Sequence, residues 1–95
     1  MRPETQRVVD NPSEPRYELW SGTRLAGTIR YTRDGDVTTM VYTEIEPAFE
    51  GDGLGAALVA GALDDARGHG KRVIALCPFV AAYIRGHPEY ADLMA

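Results

Sequence analysis

A single cysteine, Cys77, stands among the 95 residues. An internal disulfide is therefore impossible, and the expected compartment is the cytoplasm. The chain has only two histidines, His69 and His87. Neither sits at a recognisable ligand spacing from Cys77, so no metal site is expected. No run of about 18 apolar residues is present, which argues against a spanning helix and a membrane role. Met1 to Asp10 contains no apolar core of signal-peptide length. Basic clusters are also missing. Ten Lys and Arg stand against fourteen Asp and Glu, for a net charge of −4, which disfavours nonspecific nucleic-acid binding.

What is present suits one small globular domain over residues 1–95. Hydrophobic residues make up 44% and charged residues 25% of the chain, so wholesale disorder is not expected. Val8-Val9 suggests a short edge strand, and Asn11 to Pro15 a turn. Strands follow at Tyr17–Trp20 and Arg24–Thr32, joined by a hairpin at Ser21-Gly22-Thr23. Asp34-Gly35 is the clearest turn signal, since glycine supplies the positive φ of tight hairpins.

A further strand is expected over Val37–Glu46. Strict alternation would place Val37, Thr39, Val41, Thr43 and Ile45 on one face. Thr38, Met40, Tyr42, Glu44 and Glu46 would then share the other. Pro47 should end its pairing. A glycine-rich loop then leads into a helix from Ala56 to Arg67, apolar almost all round its first two turns, which Gly68-His69-Gly70 should end. Val73–Leu76 reads as an interior strand reached by a helical crossover, hence parallel to its predecessor. Pro78 suits the first position of a second helix that runs to Gly86, with Cys77 as N-cap. His87-Pro88-Glu89-Tyr90 reads as a turn after it. The order predicts an α+β fold with a mixed, mostly antiparallel sheet and two helices.

Four constellations could carry chemistry, and each has a plainer structural reading. Glu50-Gly51-Asp52-Gly53-Leu54-Gly55 can present bare N–H groups at a helix start to a phosphate, or merely allow close packing. It matches neither a P-loop nor a dinucleotide fingerprint. Cys77 at a helix N-cap can be an acidified, reactive thiol, or an inert buried residue ending a strand. Tyr83 can donate a proton to a leaving thiolate, or pack its ring on the sheet. Glu44 and Glu46 can supply a base, or form the wet face of the sheet. His69, between two glycines, reads as a solvated helix end.

Together these residues resemble the GNAT superfamily of acyl-CoA-dependent N-acetyltransferases, and within it a miniature family of about this length. The resemblance covers about Arg16 to Leu93. It rests on Thr43-Glu44-Ile45-Glu46-Pro47, on Gly51, Gly53 and Gly55, on Leu76–Ile84 with its Cys-Pro-Phe string, and on His87-Pro88-Glu89-Tyr90. The resemblance implies acetyl-CoA or CoA as co-substrate, no metal, and an amine acceptor, either a small molecule or a peptide. Pantetheine would lie between Thr43–Glu46 and Val73–Cys77. Thr43, Ile45 and Glu46 would bind it through backbone groups. The N–H groups of Gly51, Asp52, Gly53, Leu54, Gly55 and Ala56 would hold the pyrophosphate. The amine would attack the acetyl carbonyl directly. Cys77 would lie near the acyl group as a candidate catalytic thiol, and Tyr83 would protonate the departing thiolate. Glu44 is a candidate base from its own chemistry alone.

Three features depart from the pattern. Glu50 stands where such loops begin with Arg or Gln, and Asp52 adds a second carboxylate. Tyr42 stands where the miniature family often has histidine. The chain also lacks length for the helical acceptor-binding layer of larger members. A noncatalytic acyl-CoA-binding module and a GNAT-shaped interaction domain are the alternatives.

Overall fold

The computed structural model describes residues 5–95. Five strands form one sheet in the order of the chain: β1 (Gln6–Asn11), β2 (Arg16–Ser21), β3 (Arg24–Asp34), β4 (Val37–Ile45) and β5 (Arg72–Ala75). The first four are antiparallel neighbours, and β5 runs parallel to β4. Helix α1 (Leu54–Gly68) makes the crossover between β4 and β5, and α2 (Pro78–Gly86) follows β5. A 3₁₀ turn, Pro47–Phe49, precedes α1, and a 3₁₀ helix, Pro88–Leu93, ends the fold. The expected α+β architecture with a mixed sheet and two helices is the one observed.

Local chemistry explains most boundaries. Gly35 opens the two-residue β3–β4 loop with φ 59°, a conformation that side chains with a Cβ resist. Cys77 caps α2, Pro78 occupies its first turn, and His87 before Pro88 ends it. Helix α1 begins at Leu54, two residues earlier than expected, because Gly53 at φ 74° turns the chain into the helix. Gly55 is thereby a helical residue and not part of the loop.

The core lies between the sheet and α1. Tyr17, Leu19, Ile29 and Met40 meet Leu58, Val59, Ala62 and Leu63, all of them almost fully buried. Each large apolar side chain contributes about 1.5–3 kcal/mol on burial. Tyr17 keeps its hydroxyl satisfied inside this core by donating to Asp65 Oδ2 at 2.9 Å. The 3₁₀ helix adds Tyr90 and Leu93 to the core, and Tyr90 Oη donates to Asp64 Oδ1 at 2.8 Å. The sequence alone predicts only a turn over His87–Tyr90.

Three expectations are corrected. The strand expected at Val8-Val9 does lie at the sheet edge, but it is six residues long and not short, and it pairs with β2 along its whole length. β5 is an edge strand and not an interior one, and Ile74 and Leu76 are exposed. Its outer side meets the C-terminal residues, where Ala95 N donates to Val73 O at 2.9 Å. The third correction concerns β4, which does not alternate strictly. Arg30 pairs with Tyr42 while Tyr31 pairs with Met40, so Val41 is an extra, bulged residue. Before it, Thr38 and Met40 are fully buried. After it, Tyr42 and Glu44 turn outward, and Thr43 and Ile45 turn partly inward. A one-residue insertion exchanges the two faces of a strand.

β1 closes on α1 at Gly61. A Cβ there would lie 2.5 Å from Val8 Cγ2 and 2.7 Å from Val8 Cβ. Alanine favours a helix over glycine by about 1 kcal/mol, yet Gly61→Ala should destabilise the fold by about 1–3 kcal/mol through overpacking. In a Val8→Ala background the same change should become neutral or stabilising. Urea denaturation of the four proteins checks this double-mutant cycle. Equal effects of Gly61→Ala in both backgrounds would contradict the contact.

Candidate active site

The parting of β4 from β5 builds the site. The two strands pair only over Val37–Met40 and Arg72–Ala75. At that point the Met40 carbonyl accepts from both the Leu76 and Cys77 N–H groups, each at 3.0 Å. Beyond Met40 the Val41 bulge turns β4 away, and the chain after β5 enters α2. No strand covers that side of Val41–Ile45 among the described residues.

A cleft of about 460 Å³ opens there. Thr43 and Ile45 of β4 form one wall, Phe49, Glu50, Gly51 and Gly53 the loop side, and Leu54, Gly55, Ala56 and Phe79 the helical side. Gly55 shapes it by close approach: a Cβ there would lie 2.9 Å from Phe79 Cζ. The glycine lets the Phe79 ring rest on the first turn of α1. The cleft is thus largely apolar, with backbone N–H groups at one end. Leu54, Gly55 and Ala56 belong to the first turn of α1, whose amides have no acceptor within the helix. That turn contains no acidic residue. The helix dipole adds partial positive charge at the same place.

Of the residues expected to bind a cofactor, Thr43, Ile45, Gly51, Gly53, Leu54, Gly55 and Ala56 line this cleft. Asp52 and Glu46 are exposed and do not line it. Only one of the two loop carboxylates, Glu50, therefore faces the cleft. Phe49 and Phe79 complete the walls. Sequence reading gave Phe49 no role. The aromatic at Phe79 was visible within the Cys-Pro-Phe string, but nothing in the sequence shows that its ring lies over Gly55.

The three candidate catalytic residues are placed differently from one another. Cys77 is buried, and its Sγ lies 3.3 Å from Thr43 Oγ1. The thiol thus adjoins the wall of the cleft. Burial raises its pKa. The Thr43 hydroxyl and the backbone amides of Val80, Phe79 and Thr43 outweigh that effect, and the thiol falls below its ordinary value. Glu44 is exposed and projects on the sheet face opposite Thr43 and Ile45, beside Tyr42, Arg30 and Thr28. α1 covers the other face. Tyr83 does not line the cleft. Its ring stacks on His87 with centroids 3.8 Å apart and lies 6.1 Å from that of Tyr90. Burial, followed by the charges of Glu89 and Asp64, raises the Tyr83 pKa and keeps the phenol protonated at neutral pH. Tyr42 is 55% exposed on the face of Glu44. Among the described residues no group of three potential metal ligands occurs, and no helix is long and apolar enough to cross a membrane.

The Thr43 hydroxyl is the largest cause lowering the Cys77 pKa. Thr43→Val should therefore move the thiol titration to higher pH, read by ultraviolet thiolate absorbance. At neutral pH the variant should carry less thiolate than the parent. Coincident titration curves would show that Thr43 does not stabilise the thiolate.

The family model for GCN5-related N-acetyl-transferases matches residues 16–93. The chain matches none of the curated proteins. Among solved structures, a Staphylococcus aureus protein described as GCN5-like superposes with a TM-score of 0.69 at 19% identity, over 94% of this chain and 87% of its own. The ribosomal-protein-S18-alanine N-acetyltransferase of Escherichia coli gives 0.62 at 16% identity, over 87% of this chain and 53% of its own. Ard1 from Thermoplasma volcanium gives 0.57 at 17% identity, over 82% of this chain and 55% of its own. These likenesses show a shared fold, and the chain spans about half the length of the last two proteins. With its sheet parted after Met40, its glycine loop at the start of α1, and a family match over most of its length, the chain belongs to the GCN5-related N-acetyltransferase family.

Proposed function

We propose that this protein binds acetyl-CoA in the cleft between β4 and α1 and transfers the acetyl group to an amine. The carrying observation is the join of two features in one cleft: an unpaired stretch of β4 and the free amides at the start of α1. The first suits an extended chain with amides of its own, such as pantetheine. The second suits a pyrophosphate. The apolar side chains of Ile45, Leu54 and Phe79 suit the methylenes between them.

Acetyl-CoA supplies an activated acyl group as a thioester. The remaining work falls to this chain. Backbone N–H groups of the β4 stretch would stabilise negative charge at a carbonyl oxygen. Glu44, on the helix-free face, can take a proton from an amine that arrives from that side. The raised pKa of Tyr83 suits a proton donor, but its ring stacks on His87 outside the cleft. Delivery to the thiolate would need that ring to move or a water to relay the proton. Cys77 adjoins the cleft through Thr43, and direct attack by the amine leaves it without a covalent role. The acceptor is an amine on a small molecule or a peptide.

The positions of Tyr83 and Glu44 also favour a second reading. Both lie off the cleft lining, as they would in a module that binds acyl-CoA without turnover. Acetyl transfer to a panel of amines and peptides separates the two readings.

Thermal denaturation with acetyl-CoA tests their shared part. At 100 times its dissociation constant a ligand adds about 2.7 kcal/mol, several degrees in a domain of this size. ATP and NAD should give no comparable rise. Gly53→Val should abolish the rise. Apart from its chain neighbours, no protein atom lies within 4 Å of a Cβ at Gly53. The valine side chain would therefore project into open space and block close approach of the ligand to the backbone. The positive φ adds about 1–2 kcal/mol of strain, which lowers the melting point with and without ligand. A melting point that does not respond to acetyl-CoA, or a Gly53→Val variant that responds like the parent, would contradict the assignment.

A further inference from the structure

The cleft has an electrostatic deficit. Among its lining residues the one charged side chain is Glu50. The ligand proposed for it carries several negative charges on its phosphates. Amides and a helix dipole offset part of that charge, since the dipole amounts to roughly half a positive charge. An adjoining cation would offset more.

Such a cation stands beside Phe49. This ring forms part of the cleft wall and also borders a second depression of about 170 Å³, lined by Ser21, Thr23 and Arg24. Arg24, the first residue of β3, is exposed and holds its guanidinium 5.0 Å from the Phe49 ring centroid. A guanidinium held over a ring by cation–π attraction still has N–H groups to offer another partner. That planar fork matches a phosphate in two-point fashion. Arg24 has no carboxylate partner among the described residues. The Ser21 and Thr23 side chains add hydroxyl groups beside it.

We propose that Arg24, seated on Phe49, binds a phosphate of the nucleotide end of CoA and so takes over the role of the basic residue that the glycine loop lacks at Glu50. This rests on the CoA-binding reading. It goes further in extending the ligand site across Phe49 to the β2–β3 hairpin, where neither the fold nor the glycine loop would place it. The hairpin and Phe49 are neighbours because the end of β4 pairs back on β3, with Glu46 N donating to Ala26 O at 2.8 Å.

Calorimetric titration of the parent, Arg24→Gln and Arg24→Lys with CoA tests the proposal, with melting points of the free proteins as a check on folding. Arg24→Gln should weaken CoA about tenfold at low salt, the scale of one exposed charge-assisted contact. The difference from the parent should shrink at high salt, where exposed charges are screened. Arg24→Lys should recover part of the affinity. Titration with 3′-dephospho-CoA then assigns the phosphate. A Gln penalty that persists points to the pyrophosphate, and one that vanishes points to the 3′-phosphate. An unchanged Kd for Arg24→Gln, or a loss that salt does not reduce, overturns the proposal while leaving the CoA reading intact. Failure of the parent to bind CoA overturns both.

Discussion

The Met40 carbonyl holds the point on which the site depends. It accepts from Leu76 and Cys77 together, and so closes the β4–β5 ladder. One residue later the Val41 bulge bends β4 out of register. A parallel pair that continued would have used up the backbone groups of Thr43–Ile45. A buried backbone donor or acceptor without a partner is costly, so such an edge persists only where solvent or a ligand reaches it. The same event sets the faces: Thr43 and Ile45 turn toward α1, and Tyr42 and Glu44 turn away.

Helix α1 contributes both stability and chemistry, through different residues. Leu58, Val59, Ala62 and Leu63 fasten it to the sheet. Its first turn, with Gly55 under Phe79, is left open to the cleft. The side chains that anchor the helix thus lie away from the amides that can bind an anion. Tyr17 and Tyr90 tie the second half of α1 to the sheet and to the C-terminal 3₁₀ helix through Asp65 and Asp64. These contacts hold the orientation of the helix axis, and with it the direction of the dipole.

Much of this was legible in the sequence, because the signals were local. Gly35 marked its hairpin, Pro78 marked the start of α2, and the order of strands, helix and strand implied a parallel crossover. The glycine loop marked the part of the cleft that backbone alone builds. What was not legible depends on partners distant in the chain. Val41 is a β-branched residue in an alternating run, and only its lack of a partner on β3 reveals the bulge. Leu76 belongs to an apolar run yet is 63% exposed, because it lies just past β5 and, like Ile74, alternates away from the buried side that Val73 faces. Tyr83 reads equally well as an acid or as a packed ring. His87 stands four residues on, and the stacking depends on how the chain leaves α2, with His87 Nδ1 2.8 Å from the Tyr83 carbonyl.

The proposed ligand site is the opening between β4 and β5 together with the loop before α1. Amide chemical-shift mapping of the isotope-labelled protein during titration with acetyl-CoA tests it most directly. Saturable shifts are expected over residues 41–45, over residues 51–56 and at Leu76 and Cys77, with small changes at the β3–β4 hairpin. Shifts confined to other surfaces, or none at saturating ligand, would contradict it.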